Sequence, residues 1–291
     1  MKSSRTVISM PGVSARGALS LLPSGEAGVN VPLPASLSAV PEALRHVTAT
    51  RYVAPLREGG SLPGLMEADD EGLYVTKFRA AGQGERALVA EVVAGELARA
   101  IGLPVPDLVV VDVAPALGLA EPDPEIQDLI VGSPGENLGM DFLPGALPPA
   151  IPSDPAIGAE LAADVVWFDA LVTNVDRTYR NPNLLVWHGR LFLIDHGAAF
   201  FRQHGERPLA ESARDEAPML AEHVLLPVAG SLEEADERLA ERALSAVDRA
   251  VGLVPDPWLG PDPAERRADL ADFLRARLAP PRPFVKELQR A

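Results

Sequence analysis

The sequence predicts an α+β fold in two lobes, a small β-rich N-lobe followed by a mainly helical C-lobe, with a cleft between them. Three observations predict it. Strand-like runs gather in the first half, at Thr48–Val53, Leu65–Ala68, Leu73–Phe78 and Leu108–Val113. Helical periodicity dominates from Pro155 onward. A proline-rich stretch, Ala114 to Pro155, joins the two. A chain of 291 residues suits one large domain or two lobes, and is long enough to build a substantial core.

Residues 1–48 are rich in Pro, Gly, Ser and Ala and hold no sustained period, so they read as a flexible or loosely packed extension. The N-lobe is then expected over 49–145 and the C-lobe over 146–291. Thr48–Val53 carries the β-branched and aromatic residues of a strand. A glycine-rich turn, Gly59-Gly60-Ser61, follows. Asp69-Asp70-Glu71-Gly72 reads as a hairpin turn between the next two strands. Leu88, Val92, Gly95 and Ala98 recur at helical spacing over 85–101, and Gly102 with Pro104 ends that helix. Leu108–Val113 is a continuous apolar run, the mark of a buried strand.

The connector holds a short helix candidate at Pro124–Ile130 and a strand-like piece at Leu138–Leu143. Ala156–Val172 is an apolar helix that runs into a loop, Thr173 to Asn183, rich in Asn and charge. Two short strands, Leu184–Trp187 and Leu191–Ile194, are joined by His188-Gly189-Arg190. Leu232–Val251 and Pro263–Leu278 are helices, the second with Asp262 as N-cap.

Charge and composition limit the function. With 26 Lys+Arg against 41 Asp+Glu the net charge is −15. That argues against a nucleic-acid partner, which needs clustered cations, and against an anionic membrane surface. The absence of cysteine excludes disulfides, thiolate nucleophiles and Cys-ligated zinc, and fits a cytoplasmic location. No apolar run approaches the ~18 residues of a spanning helix. The five histidines show no metal pattern, and no Gly-x-Ser-x-Gly or His-Glu-x-x-His motif appears. Nothing in the sequence names an oligomeric state.

The chemistry-bearing residues lie elsewhere. Lys77 shares a strand face with Leu73 and Val75, and a lysine there needs an anion. Glu91, on the following helix, is a candidate partner; a strand lysine paired with a helix glutamate is how kinases hold nucleotide phosphates. A surface lysine and a solvated glutamate would carry the same spacing. Gly59, Gly60 and Ser61 suit backbone contacts to phosphate, or a plain hairpin turn. The polar loop is more specific. Asp176, then Asn181, then a hairpin, then Asp195 before His196-Gly197 supplies in order a carboxylate for an acceptor hydroxyl and oxygen ligands for Mg²⁺. Asn183 is placed either to replace or to assist Asn181, and spacing alone does not choose between them. Arg177 suits either support of the loop and phosphate or an ion pair to a neighbouring acid.

At these residues the chain resembles the HipA-like kinase family, whose fold is similar to protein kinases and phosphoinositide kinases. Asn174-Val175-Asp176-Arg177-Thr178-Tyr179-Arg180-Asn181 is similar to that family's catalytic loop, with Thr178 where the loop usually has His. Ile194-Asp195-His196-Gly197 resembles its metal motif, and Ala90-Glu91 through Gly102-Leu103-Pro104-Val105-Pro106 its lysine-partner helix. The resemblance covers roughly residues 48–280 and implies a two-lobed, protein-kinase-like fold. It implies Asp176 as catalytic base and Lys77 with Glu91 as the phosphate-orienting pair. It further implies Asn181 and Asp195 as Mg²⁺ ligands, and Gly59, Gly60 and Ser61 as the phosphate loop. Met140, Asp141 and Phe142, running to Leu143, fall where the hinge meets adenine. Residues 1–48 are short and irregular, so the N-terminal subdomain of full-length HipA toxins is not expected there. The expected function is ATP- and Mg²⁺-dependent phosphorylation of Ser or Thr hydroxyls on a protein. A small-molecule or lipid acceptor, or a catalytically silent nucleotide-binding module, are the alternatives.

Overall fold

A computed structural model describes residues 42–56, 62–82, 84–205 and 207–288. The architecture is mixed α and β. Five strands, β1 (Arg45–Pro55), β2 (Gly64–Ala68), β3 (Leu73–Lys77), β4 (Leu108–Val113) and β5 (Gly135–Asp141), close into a barrel in the order β1-β2-β3-β5-β4. β1 begins earlier than the strand expected at Thr48, because Arg45 to Thr48 pair in parallel with Val109 to Asp112. A parallel partner is necessarily distant in sequence, so local residue preferences do not announce it. The remaining barrel pairs are antiparallel. The turn at Asp69–Gly72 forms as its residues dictate, with the Gly72 N–H donating to Asp70 Oδ1 at 3.0 Å.

Alternation along the strands divides the core. Val47, Ala49, Met66, Ala68, Tyr74, Val109, Val111 and Val113 form one apolar cluster, joined by Ile126 and Ile130 of α2 (Pro124–Val131). Gly139 faces the same side: a Cβ there would lie 2.5 Å from Val111 Cγ2, so only glycine lets β4 and β5 pair at this point. Leu108, Val110, Leu138 and Met140 instead join the larger cluster around α1 (Glu85–Ile101).

α1 is buried around nearly its whole circumference, Glu91 and Glu96 included, because it packs against the barrel strands and against α4 (Leu232–Gly252). The same cluster continues through α3 (Ala159–Val172), α5 (Pro263–Leu278) and α6 (Pro283–Leu288). α6 is absent from the sequence expectation; its 6 residues are too few for a helical period to register. Asp262 caps α5 as expected, its side chain accepting from the Glu265 N–H at 3.0 Å. β6 (Leu184–Trp187) and β7 (Arg190–Leu193) form a separate hairpin. Its turn residues His188 and Gly189 have φ of 48° and 72°, the left-handed pair that a two-residue hairpin turn favours. No helix among the described residues is long and apolar enough to cross a membrane.

Candidate active site

Lys77 closes β3, and its ammonium donates to Glu91 on α1 and to Asp195 Oδ1 at 2.6 Å. The surface alternative for this pair does not hold. Glu91 has no exposed surface and the Lys77 side chain is 13% exposed. Burial alone would lower the ammonium's pKa, but the charges of Glu91 and Asp195 outweigh it and raise it. Burial likewise pushes Asp195 up, yet Lys77 overcomes that and holds its carboxyl below the usual range. Burial pushes the Glu91 carboxyl up, against the pull of Lys77. Glu91 Oε1 also accepts the Gly197 N–H at 2.8 Å. One carboxylate oxygen therefore ties α1 both to β3 and to the segment that follows β7. A Cβ at Gly197 would sit 3.3 Å from that oxygen.

The polar loop is held from below. α3 ends at Thr173, whose φ of 51° turns the chain out of the helix. Arg277 of α5 donates to the last carbonyls of α3, Ala170 O at 2.7 Å and Leu171 O at 2.8 Å. Asp169, the lone acid among Trp167, Phe168, Ala170 and Leu171, gathers three donors. Arg177 Nε lies 2.5 Å from its Oδ2, His223 Nε2 at 2.9 Å, and Asn174 Nδ2 is 3.0 Å from its Oδ1. His223 Nδ1 accepts the Leu225 N–H at 3.1 Å, so its Nε2 carries the hydrogen toward Asp169. Burial alone would raise the Asp169 carboxyl, but Arg177 and then His223 hold it far below the usual range. Of the two roles open to Arg177, the structure shows an ion pair, and through it support of the loop. Its Nη1 donates to the carbonyl of Asn183 and to that of Ile194 at 3.4 Å. The Ile194 N–H donates to Asn183 O at 3.1 Å. Arg177 thus fastens the loop to the backbone immediately before Asp195.

Asp176 sits at the rim of this assembly. Its N–H donates to Asn174 Oδ1 at 3.3 Å. Its Oδ2 accepts from Asn181 Nδ2 at 2.6 Å and Asn183 Nδ2 at 3.4 Å. The structure brings both asparagines to the carboxylate, where spacing alone left a choice. Each amide turns its NH₂ group to Asp176, which leaves its oxygen for another partner. Those amide oxygens and the Asp195 carboxylate are hard donors of the kind Mg²⁺ takes, so the residues present fit that ion. No group of three or more His, Cys, Asp or Glu is placed to hold a metal among the described residues. Asn183 and Asp195 have φ of 49° and 55°, a conformation that Asn and Asp tolerate best among residues with a side chain.

The remaining sequence candidates are less involved. Met140 is buried at the end of β5, opposite Val75 and Leu108. The Asp141 N–H donates to Asp107 O at 2.8 Å and the Phe142 N–H to Leu73 O at 2.9 Å. Burial, then the charge of Asp107, pushes the Asp141 carboxyl up to about 6. Asp141 pairs with Tyr74 in register while Lys77 pairs with Leu138, so these residues lie at the opposite end of β3 from Lys77. Gly59, Gly60 and Ser61, the expected phosphate loop, lie outside the described residues. His196 is buried, and burial first, then Arg177, pulls its pKa down to about 3, so it is neutral beside Asp195. Sequence reasoning missed Asp169, His223 and Arg277. An acid set in the apolar second half of α3, between Phe168 and Ala170, was a readable signal for Asp169; the other two carried none.

A strand lysine paired to a helix acid and a metal-type aspartate, next to an Asp-Asn loop, is the layout of a kinase-type phosphotransferase. The chain belongs to the HipA-like kinase family, whose model matches residues 50–279. That membership implies use of ATP and a divalent metal, and an acceptor substrate. No curated protein matches the sequence. Among solved structures, the crystal structure of a Helicobacter pylori proinflammatory kinase, CtkA, aligns over 81% of this chain and 97% of that one, at 10% identity and a TM-score of 0.49.

Proposed function

We propose that this kinase transfers the γ-phosphoryl group of ATP to a Ser or Thr hydroxyl of a protein, with Mg²⁺, in the cytoplasm. The observation that carries the reading is the double engagement of Lys77 by Glu91 and Asp195, with Asp195 fastened through Ile194 and Asn183 to the loop bearing Asp176. In this reading residues 49–145 act as the nucleotide-holding lobe and 146–291 as the acceptor-holding lobe, behind an extension of residues 1–48. Gly59, Gly60 and Ser61 cover the phosphates, and Met140, Asp141 and Phe142 meet the adenine.

Lys77, kept charged by its two acids, orients the phosphates. Glu91 keeps Lys77 in place. Asp195 and Asn181 would hold Mg²⁺, with Asn183 beside them, and the bound ion would supply neutralisation of phosphate charge. Asp176 orients the acceptor hydroxyl and takes its proton while the new O–P bond forms. The bond from phosphorus to the bridging oxygen breaks, and ADP leaves with that electron pair. Asp176 then returns the proton to solvent. Incubating the protein with γ-labelled ATP, Mg²⁺ and either protein extract or a metabolite pool tests the reading. Label on protein Ser or Thr supports it. Label only on small molecules or lipids replaces the acceptor, and ATP binding without turnover marks a silent module.

A further inference from the structure

We propose that the groove beside the catalytic loop is the acceptor subsite, and that Arg180 there selects a Ser or Thr flanked by a carboxylate side chain in an acidic peptide segment. This rests on the kinase reading above and names the acceptor class for the same site. The groove encloses about 550 Å³ and is lined by Thr178, Tyr179, Arg180, Glu222, His223 and Pro227, among others. No sequence motif points to it, because its walls come from two separate segments. They meet at a bridge between Thr178 and His223, next to the Val224 N–H donating to Arg177 O at 3.0 Å.

One wall is a tight turn. The Thr178 N–H donates to Asn181 O at 3.1 Å, and the Asn181 N–H returns to Thr178 O at 3.2 Å. Tyr179 and Arg180 are the two central residues of that turn, and both are exposed. The foot of the turn is pinned to the site, since Asn181 Nδ2 lies 2.6 Å from Asp176 Oδ2. Arg180 therefore stands one residue from the group that holds the proposed base.

The charge at this position is what selects the acceptor. Arg180 is the one arginine among the described residues whose side chain makes no hydrogen bond, ion pair or ring contact. In a chain with 41 acidic residues against 26 basic ones, that leaves a guanidinium open to a ligand. A guanidinium takes a carboxylate through two parallel hydrogen bonds. His223 in the floor is already committed to Asp169 and to the Leu225 N–H, so both its ring nitrogens are engaged. Tyr179, 64% exposed, offers an aromatic face to a peptide. Glu222 on the other wall repels a misplaced acid, which restricts the carboxylate to the Arg180 side. The net charge of −15 repels anionic acceptors at long range, so contact with Arg180 must supply the preference. The bonds made and broken, and the path of the proton through Asp176, are those written above.

The test uses the full chain with γ-labelled ATP, Mg²⁺ and Ser peptides that differ only in Glu, Ala or Lys at the flanking positions. The wild type is expected to favour the Glu peptide over the Ala peptide by about tenfold in kcat/KM, the size of one charge-assisted contact. In Arg180→Ala that ratio falls to about one, and in Arg180→Glu it reverses in favour of the Lys peptide. A Glu preference that persists in Arg180→Ala, or label that reaches no peptide, overturns the proposal. Hydrolysis of ATP by the wild type without peptide is measured alongside. Hydrolysis with a preference indifferent to Arg180 overturns this inference alone. If the wild type shows neither hydrolysis nor transfer, the kinase reading and the inference fall together.

Discussion

Asp169 and Arg177 form an ion pair from which water is excluded: Oδ2 and Nε are 2.5 Å apart, and neither side chain has any exposed surface. The pair joins the end of α3 to the loop that carries Asp176. Because Arg177 also holds the carbonyls of Asn183 and Ile194, the pair sets the spacing between Asp176 and Asp195.

Removing Asp169 therefore strands a buried guanidinium. Asp169→Ala is expected to cost about 3–5 kcal/mol of stability, read as a lower urea midpoint with an unchanged slope. The wild type carries a matching acid dependence. Its folded Asp169 stays ionised well below the range where the unfolded carboxyl takes up a proton. The pair's contribution is thus complete above the ordinary carboxylate pKa and declines as pH falls below it. Asp169→Ala should flatten that acid limb.

Among the described residues the Asp176 carboxylate bonds to Asn181 and Asn183 and not to Lys77, Glu91 or Asp195, so its loss leaves that charged cluster intact. Asp176→Ala is expected to lower kcat for phosphate transfer by at least about 100-fold, while the ATP dissociation constant moves by less than about threefold. Calorimetric titration beside a transfer assay checks both halves. A fully active Asp176→Ala enzyme would remove the mechanism.

Lys77 and Asp195 answer to different probes. Asp195→Ala should weaken nucleotide binding by about 10–100-fold in the presence of Mg²⁺ and abolish the benefit of adding the ion. Lys77→Met should weaken binding with and without Mg²⁺, because the ammonium meets the phosphates directly in the proposed complex. Equal Mg²⁺ dependence in Asp195→Ala and wild type would contradict the assignment.

Glu96 provides a pH signature away from the site. It is buried on α1, with Oε2 lacking a hydrogen-bond partner among the described residues and Arg99 Nε at 3.7 Å. Burial drives its carboxyl up to about 7 from an ordinary value of 4.5, against the pull of Arg99 and with a push from Asp107. Between those values the folded chain holds a proton that the unfolded chain has released. Stability contributed by this group is therefore full below pH 4.5 and is lost as pH rises through about 7. The loss amounts to no more than about 3 kcal/mol. Urea titrations at mildly acid and mildly alkaline pH should show it in the wild type, and Glu96→Gln should remove it. An unchanged pH slope in Glu96→Gln would refute it.

The parts of the fold that were legible are those with local causes. α1, β4 and α5 fall where helical spacing, an apolar run and the Asp262 cap place them. Lys77, Glu91, Asp176, Asn181 and Asp195 stand out because a charged or amide side chain beside an apolar strand or helix needs a reason. The parallel start of β1, the short α6, and the buried supports His223 and Arg277 were not legible. α6 is too short to show a period, and the others depend on a partner far along the chain: Arg277 reaches Leu171 across 106 positions and His223 reaches Asp169 across 54.

By itself the sequence determined the order of elements and the order of the charged residues, since periodicity, caps and turn chemistry act over a few residues. Tertiary structure decided which of those charges meet. Lys77 and Asp195 are 118 positions apart and share a hydrogen bond. Among the described residues Arg180 lies among paired arginines and has no side-chain partner. Coulomb attraction and burial depend on distance in space, and only the packing of α1, the barrel and the loop after α3 sets that distance.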